Sequence, residues 1–340
     1  MTKKYNFAIV GALGKVGTEM TRILEASSLP INSVTLMDLP RFAGERVTFR
    51  GEELSVVAAV EKSFRGVDIA LFSAGGNASK ELAPLANKAG CLVIDNSAVF
   101  RMDPQVPLVV PEVNPRDVEW HRGIIANPNC STIQMVVVLK PLHDAYTIKR
   151  VVVSTYQAVS GTGKAAVDEL EQQIRDHVKG ETLSWEVYPH QIAFNALPHI
   201  DTFQENLYTK EEMKMVHETH KMLDESIKVT ATTVRIPVVV GHSESVNIET
   251  EKPFALKELR QLLSKAPGVV VEDDPFRSIY PLALKAAGRD EVFVGRIRRD
   301  DTIPNGINLW IVADNLRKGA ALNAVQIAEL IIKEELVRVP

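Results

Sequence analysis

The sequence has few cysteines, no long apolar run and no excess of basic residues. Two cysteines in 340 residues cannot form the disulfide framework of a small secreted protein. No apolar run approaches the roughly 18 residues of a membrane-spanning helix, and no signal peptide is visible at the N-terminus. Lys and Arg total 39 against 43 for Asp and Glu, which disfavours a nucleic-acid-binding role. These absences predict a soluble cytoplasmic protein with no nucleic-acid or membrane partner.

The composition is that of a folded protein large enough for two domains. Apolar residues make up 45% and charged residues 24% of the chain, close to the usual values. Over residues 1–130, short apolar segments alternate with segments whose apolar residues have helical spacing. This alternation predicts βαβ units and an α/β, Rossmann-like, doubly wound parallel sheet. The apolar segments are residues 5–10, 34–37, 67–72, 92–94 and 124–126.

After residue 130 the predicted strands become longer and richer in Val and Thr. This change predicts an α+β domain with a mixed sheet. The expected boundaries are 1–130 for the first domain, completed by a C-terminal helix within 315–340, and 131–314 for the second. The predicted strands are 150–156, 228–240, 245–250, 292–298 and 308–313, with helices at 164–178, 211–226 and 256–264 and a long terminal helix at 319–336.

A glycine-rich loop follows the first predicted strand and precedes a helix. Gly11, Gly14 and Gly17 form a GxxGxxG variant of the dinucleotide-binding fingerprint. Such glycines let the backbone approach a pyrophosphate, which the N–H groups of the next helix then bind. Three glycines can also serve chain geometry alone, so the signal is weak without its strand–helix context.

Two residues after the second strand point to different cofactors. Asp38 stands where an acid binds the ribose hydroxyls of NAD, whereas Arg41 can bind the 2′-phosphate of NADP. The alternative is that Asp38 caps a turn and Arg41 is solvated. A further loop, Ser73 to Gly76, ends a later strand and can approach the same cofactor or serve only as a turn.

Cys130 is the stronger candidate for a nucleophile of the two cysteines. It follows the turn Asn127-Pro-Asn129 and begins a predicted helix, whose dipole favours a thiolate. Cys91, expected inside an apolar strand, is predicted to be a structural thiol. A thiolate needs an acid–base partner. His242, predicted at the end of a strand, and His199 are candidates, while His217 and His220 lie on a charged helix and are expected to be solvated.

Several motifs together resemble the aspartate-β-semialdehyde dehydrogenase family, over nearly the whole chain. Residues 11–17 read GALGKVG, where the family usually has GATGxVG. Residues 95–114, 127–132, 156–161, 211–214, 234–244 and 313–320 resemble its other signatures in the same order.

The resemblance implies a role for each matching residue. Cys130 would form an acyl-thioester, His242 would be the acid–base partner, and Gln157 would position the acyl group. Arg235 would bind the substrate α-carboxylate and Glu211 its α-amino group, while Arg101, Lys214 and Asn129 would hold phosphate. No metal site is predicted. The cofactor residues expected from the motifs and the resemblance are Gly11, Leu13, Gly14, Lys15, Val16, Asp38, Arg41, Phe42, Ser73, Gly75, Ser160, Gly161 and Asn315.

The implied activity is reductive dephosphorylation of L-aspartyl-4-phosphate with NADPH, a step toward lysine, threonine, methionine and diaminopimelate. Leu13 replaces a usual Thr, and Asp38 and Phe42 depart from the family pattern, so NAD tolerance is expected beside NADP use. The rival activity is that of N-acetyl-γ-glutamyl-phosphate reductase, whose acylated substrate needs no acid such as Glu211. A non-catalytic binding module is the alternative of another class. The family also implies a homodimer or a tetramer.

Overall fold

The computed structural model describes residues 3–337, which divide into two compact units. The first comprises the chain up to Asn129 together with the residues from Ala320 onward, and the second is Cys130–Gly319. Among the described residues, no helix has the length and apolar character needed to cross a bilayer.

The elements follow one another as the alternating pattern predicts. The strands are β1 (Tyr5–Val10), β2 (Ile31–Asp38), β3 (Arg46–Phe49), β4 (Glu52–Ser55), β5 (Val57–Ala58), β6 (Ile69–Phe72), β7 (Leu92–Asp95), β8 (Ile124–Ala126), β9 (Ile148–Gln157), β10 (Lys228–Arg235), β11 (His242–Thr250), β12 (Val269–Val271), β13 (Val292–Asp300) and β14 (Gly306–Ala313). The helices are α1 (Lys15–Ala26), α2 (Gly76–Lys88), α3 (Cys130–Tyr146), α4 (Lys164–Lys179), α5 (Lys210–Met222), α6 (Leu256–Lys265), α7 (Ala283–Ala286) and α8 (Leu322–Lys333).

The first unit is built on a parallel sheet in the order β5-β2-β1-β6-β7-β8. The chain passes from β1 to β2 and β5 on one side and then crosses from β5 to β6 on the other, so the strand order reverses between β1 and β6. Ligands of open α/β sheets bind at the carboxyl ends of the strands at this point. The returning helix α8 buries Ala324, Val325 and Ala328 in the core of this unit, which confirms the predicted doubly wound fold.

The second unit is built on a mixed sheet in the order β10-β9-β11-β14-β13-β12. β9 and β10 are parallel, whereas β11 runs antiparallel to both β9 and β14. The carboxyl ends of β9 and β10 therefore lie at the same sheet edge as the first residue of β11. Helix α3 is buried over most of its length and contacts β9, β11 and β14, so one face of the sheet is covered.

Several predicted boundaries are wrong. The strand predicted at 228–240 ends at Arg235, because Pro237 has no N–H to continue the ladder. His242 consequently begins a strand where the sequence suggested that it ends one. The terminal helix predicted at 319–336 begins at Leu322, after a π-helical turn at Arg317–Ala321. Cys91 immediately precedes β7 and does not lie within a strand.

Candidate active site

The glycine loop forms the wall of a cavity in the first unit. Gly11 has φ +83°, a left-handed conformation that favours glycine. A Cβ atom at Gly11 would lie 2.5 Å from the carbonyl oxygen of Ser73, so β1 and β6 end in close contact. Helix α1 begins at Lys15, directly after Gly14. Its first N–H groups therefore face the reversal point of the sheet, where a pyrophosphate binds in this architecture.

The cavity has a volume of about 330 Å³, within the size range of small-molecule sites. A dinucleotide fits this setting because the glycine backbone and a helix N-terminus border the same space. The predicted cofactor residues Gly11, Leu13, Gly14, Asp38, Phe42 and Ser73 line it, whereas Lys15, Val16, Arg41 and Gly75 do not. The side chains of Leu13 and Val16 pack partly against the hydrophobic core, so any cofactor contact from Val16 would come from its backbone.

The Asp38 carboxylate is committed to the local backbone. Its Oδ2 accepts the N–H of Leu13 at 3.0 Å and its Oδ1 accepts the N–H of Leu39 at 2.8 Å. Asp38 therefore holds the glycine loop against the end of β2 while it also borders the cavity. Arg41 is exposed, and its guanidinium lies over the ring of Phe42, 4.8 Å from the centroid. Phe42 is thus both a wall of the cavity and the support of Arg41.

The two cysteines occupy opposite environments. Cys130 is the first residue of α3 and is half-buried, so the partial positive charge of the helix N-terminus acts on its sulfur. Cys91 is fully buried. Burial, reinforced by the negative charge of Asp68, raises the pKa of the Cys91 thiol to about 12. Cys91 is therefore an inert thiol, as the sequence predicts.

Gln157 and Arg235 are brought side by side by strand register. They are the last residues of β9 and β10, and the parallel ladder pairs them directly. The Gln157 amide donates to Ser131 Oγ at 2.7 Å and to Glu211 Oε1 at 3.2 Å. Ser131 follows Cys130 in α3, so this amide connects the start of α3 to α5.

Arg235 is a buried cation that forms no ion pair with any residue between Lys3 and Val337. It is 4% exposed, and Nη1 donates to the carbonyl oxygen of Ala158 at 2.6 Å. Its Nε has no hydrogen-bond partner in that part of the chain. Leaving a buried charge unpaired is costly, so the guanidinium is suited to a planar anionic ligand such as a carboxylate.

His242 lies beside this guanidinium. A Cβ atom at Gly161 would be 3.1 Å from Arg235 Nη1 and 3.3 Å from His242 Nε2, so both tips face the same glycine. His242 Nδ1 accepts the N–H of Ala158 at 3.0 Å, which assigns the proton of the neutral ring to Nε2. Burial, with a further contribution from Arg235, lowers the pKa of His242 to about 3. The ring is therefore neutral near pH 7.

Lys214 joins two carboxylates on the same side of the site. Its Nζ lies 3.0 Å from Glu211 Oε2 and 2.9 Å from Asp201 Oδ2. Burial opposes the charge of Lys214, but Glu211 and Asp201 outweigh this effect and raise its pKa. Burial alone would raise the pKa of Asp201, but the hydrogen bond and the charge of Lys214, together with the Thr202 N–H, lower it. Asp201 and Lys214 are therefore both charged near neutral pH.

Ser160 and Asn315 form a separate buried pair in the second unit. The Asn315 amide donates to Ser160 Oγ at 3.0 Å, and Asn315 Oδ1 accepts the N–H of Gly241 at 2.8 Å. This pair fixes the loop that precedes His242, so Ser160 and Asn315 have a structural role that the cofactor prediction did not include.

Arg101 and Asn129 belong to the first unit and are both buried. Arg101 donates to the carbonyl oxygens of Asn127 at 2.9 Å and Asn96 at 2.7 Å. The Asn127 side chain also accepts from Asn323 of α8 at 2.7 Å. The turn before Cys130 is therefore held from two sides.

Of the remaining histidines, His217 is exposed and His220 bonds to the carbonyl oxygen of Ile227 at 2.7 Å. His199 stacks on Phe203. Within residues 3–337 no group of His, Cys, Asp or Glu side chains is arranged to hold a metal ion.

Sequence reasoning missed Ser131, Asp201 and Gly319. A Cβ atom at Gly319 would lie 3.0 Å from Cys130 Cβ, which shows that the π-helical turn packs against the nucleophile candidate. Ser131 could have been found from its position beside Cys130. No local signal marks Asp201, because its contact with Lys214 depends on the loop that precedes α5.

Comparison with known proteins agrees with this geometry. Residues 6–121 match the model of the semialdehyde dehydrogenase NAD binding domain, and residues 139–318 match that of the semialdehyde dehydrogenase dimerisation domain. The two-unit fold and its site thus define a semialdehyde dehydrogenase.

The chain is 57% identical over 338 residues to aspartate-semialdehyde dehydrogenase of Aquifex aeolicus, covering 98% of this chain and 99% of that protein. It resembles the crystal structure of aspartate semialdehyde dehydrogenase II from Vibrio cholerae complexed with ASA, with a TM-score of 0.95 and 46% identity over 98% of this chain and 99% of that one. The chain belongs to the aspartate-semialdehyde dehydrogenase family, oxidoreductases that convert aspartyl phosphate to aspartate semialdehyde in the aspartate amino-acid pathway.

A Candida albicans aspartate semialdehyde dehydrogenase with NADP shares the fold at a TM-score of 0.78 and 23% identity, covering 98% of this chain and all of that one. At this identity the likeness concerns the fold alone.

Proposed function

We propose that this chain reduces L-aspartyl-4-phosphate with NADPH through a thioester on Cys130. The first unit is the dinucleotide-binding domain, and the second is the catalytic and dimerisation domain. The observation that carries the proposal is Arg235, a buried arginine without an ion pair in the described chain, beside His242 and in register with Gln157. An amino-acid substrate supplies the missing carboxylate.

Cys130 begins the reaction. Its thiolate attacks the acyl carbon, forming a C–S bond while the bond from that carbon to the phosphate oxygen breaks and phosphate leaves with the electron pair. A nicotinamide cofactor held by the glycine loop at Gly11 and Gly14 would supply hydride to the resulting thioester. The C–S bond then breaks, so that the aldehyde departs and the electron pair returns to sulfur. The position of Cys130 at the start of α3 favours the thiolate at both ends of this cycle.

His242 acts through Nε2. In the neutral ring this atom carries the proton, because Ala158 donates to Nδ1. The Nε2–H group is suited to stabilise the oxyanion that forms on the acyl oxygen. Proton transfer, the role that the family resemblance implies, requires the ring to become charged. Arg235 opposes that charge and Glu211 favours it, so substrate neutralisation of Arg235 would make protonation easier.

The two ends of the substrate are distinguished by charge. Arg235 binds the α-carboxylate through its planar fork, and the buried Glu211 binds the α-ammonium. Arg101, Lys214 and Asn129 hold the phosphate, while Gln157 positions the acyl group. An N-acetylated substrate carries no ammonium for Glu211 to bind, which disfavours the N-acetyl-γ-glutamyl-phosphate reductase reaction.

The cofactor is NADP, with NAD tolerated. Arg41, exposed beside the cavity-lining Phe42, can meet a 2′-phosphate, but the Asp38 carboxylate that lines the cavity repels that dianion. We expect Arg41→Ala to raise KM for NADP about tenfold, the loss of one charge-assisted contact, and to leave KM for NAD within twofold. An equal change in KM for NADP and for NAD would show that Arg41 does not contact the 2′-phosphate.

The test of the reaction measures reduced cofactor formed from aspartate semialdehyde, phosphate and NADP. Wild type should turn over. Cys130→Ala should lose at least about 10³-fold in kcat, as expected when a nucleophile is removed, and Cys91→Ala should retain activity because Cys91 is inert. Mass spectrometry of wild type incubated with L-aspartyl-4-phosphate, in the absence of cofactor, should show the aspartyl adduct on Cys130. An active Cys130→Ala variant would refute the mechanism, and an inactive wild type would refute the function.

The protein acts in the cytoplasm, whose reducing conditions keep the Cys130 thiol available. It assembles as a homodimer through the second unit, whose residues match a dimerisation domain, or as a tetramer built from such dimers.

A further inference from the structure

We propose that Asp201 weakens the binding of phosphate, because its carboxylate competes with phosphate for the Lys214 ammonium. The inference rests on the proposed function, in which Lys214 holds the phosphate. Asp201 lies outside every motif that the sequence singled out, and its only ion pair in the described chain is the contact with Lys214.

Asp201 and phosphate would compete for the same atom, the side-chain nitrogen of Lys214. Lys214 Nζ has three N–H donors. One points to Glu211 Oε2 at 3.0 Å and one to Asp201 Oδ2 at 2.9 Å. A phosphate bound to the remaining donor faces the Asp201 carboxylate across a single nitrogen atom. Two anions at this separation repel each other, and partial burial weakens the screening by water.

The carboxylates of Glu211 and Asp201 differ in how freely they can move away from Lys214. Glu211 is buried, and the Gln157 amide donates to its Oε1 at 3.2 Å, so α5 and β9 fix it in place. Asp201 lies on the loop before α5, and its side chain is 33% exposed. Asp201 can therefore release Lys214 to phosphate and turn to solvent, whereas Glu211 cannot.

The Asp201–Lys214 ion pair limits how tightly the site binds phosphate. The pair keeps Lys214 charged and aimed at the site when phosphate is absent, because both carboxylates raise its pKa. The same pair weakens phosphate binding, which helps phosphate to leave after thioester formation. A site that bound phosphate more tightly would be inhibited by the phosphate that it releases.

The test is Asp201→Asn. Asn tolerates the left-handed backbone at this position, where φ is +68°, and it keeps the hydrogen bond from Thr202 N–H to the side-chain oxygen at 2.8 Å. In the oxidative direction, KM for phosphate should fall about three- to tenfold, the size of one removed like-charge interaction, and KM for the semialdehyde should stay within twofold. In the reductive direction, phosphate should inhibit the variant at correspondingly lower concentration.

Two further variants separate the possible failures. Asp144→Asn removes a matched Lys–Asp pair at the far end of α3, with Lys140 at 2.7 Å, and should leave KM for phosphate unchanged. Lys214→Met should raise KM for phosphate. If Lys214→Met has no such effect, the phosphate assignment and this inference both fail. If it raises KM for phosphate while Asp201→Asn leaves that value unchanged or raises it, only the inference about Asp201 is overturned.

Discussion

At the scale of single residues, a glycine decides how close two catalytic groups can lie. Gly161 faces the tips of Arg235 and His242, and a Cβ atom there would be 3.1–3.3 Å from both. That spacing is tighter than ordinary contact, so one of the two side chains would have to move. Both are buried and hydrogen-bonded to Ala158, which leaves them little freedom to do so.

We therefore expect Gly161→Ala to lower kcat/KM about tenfold, because a displacement of a few tenths of an ångström misaligns groups that act on the substrate. The midpoint of thermal unfolding should shift by only a few degrees, since the added methyl group faces the site. Steady-state kinetics and a thermal melt on the same preparation measure both quantities. An unchanged kcat/KM would show that the site is wider at Gly161 than the structure indicates.

At the scale of elements, a π-helical turn packs against the helix that carries the nucleophile. Such turns are uncommon and occur often at functional sites. The turn at Arg317–Ala321 presents Gly319, whose missing side chain lets it approach Cys130. The Gly319 N–H also donates to the carbonyl oxygen of Asp314 at 3.0 Å. The turn thus buttresses the first residue of α3 from the side.

Gly319→Ala should lower kcat about tenfold with little loss of stability. The new methyl group would press on Cys130 Cβ, but Ala is better than Gly in a helix by roughly 0.5–1 kcal/mol, which offsets part of the crowding. The rate of alkylation of Cys130 by iodoacetamide, measured with Cys91 left in place as the buried thiol, should change in parallel. Normal kcat together with a normal alkylation rate would contradict the buttressing role.

At the scale of the whole molecule, one face of the second sheet is only partly covered by the residues that the structure describes. Tyr156 on β9 and Trp310 on β14 are half-buried on this face, and their ring centroids are 5.4 Å apart. The alternate residues of the same strands are buried. An aromatic surface of this kind within a dimerisation domain is suited to a second copy of the chain.

Tyr156→Asp should shift the protein from dimer to monomer, because a carboxylate at the centre of an interface would lose its hydration without gaining a partner. Sedimentation velocity measures the change. Trp120→Asp is the matched control, since Trp120 is 42% exposed and belongs to the first unit. A Tyr156→Asp variant that sediments like wild type would exclude this face as the interface.

Two buried titratable groups make global stability depend on pH in opposite directions. The pKa of His242 is lowered to about 3 by burial and Arg235. Unfolded His242 takes up a proton below its ordinary pKa, so its contribution to stability is lost as the pH falls from about 6.5 toward 3. Burial raises the pKa of Glu244 well above its ordinary value, and within the described chain neither of its carboxyl oxygens has a hydrogen-bond partner. Its contribution is present below the unfolded pKa and is lost as the pH rises toward the folded one.

Glu244→Gln should remove the second effect. The difference in unfolding free energy between the variant and wild type should grow by about 1.4 kcal/mol per pH unit above the ordinary pKa of Glu, as long as Glu244 remains protonated in the folded state. Urea unfolding at a series of pH values from 5 to 8 measures this slope. A difference that does not change with pH would mean that Glu244 is ionised in the fold.

The sequence by itself determined the parallel first sheet, the glycine loop and the nucleophile candidate. Each depends on local signals: apolar segments at short spacing, glycines between a strand and a helix, and Cys130 directly after the Asn-Pro-Asn turn and before a helix. The family roles of Glu211 and Lys214 came from resemblance, since a helix rich in charge does not mark them.

Tertiary structure alone decided which groups meet. Strand register places Arg235 beside Gln157, although the two residues are 78 positions apart in the sequence. Loop geometry brings Asp201 to Lys214 and a π-helical turn brings Gly319 to Cys130, while burial sets the charge states of His242 and Glu244. Local sequence patterns cannot predict these contacts and charge states, because contacts between distant segments and exclusion from water exist only after the chain has packed.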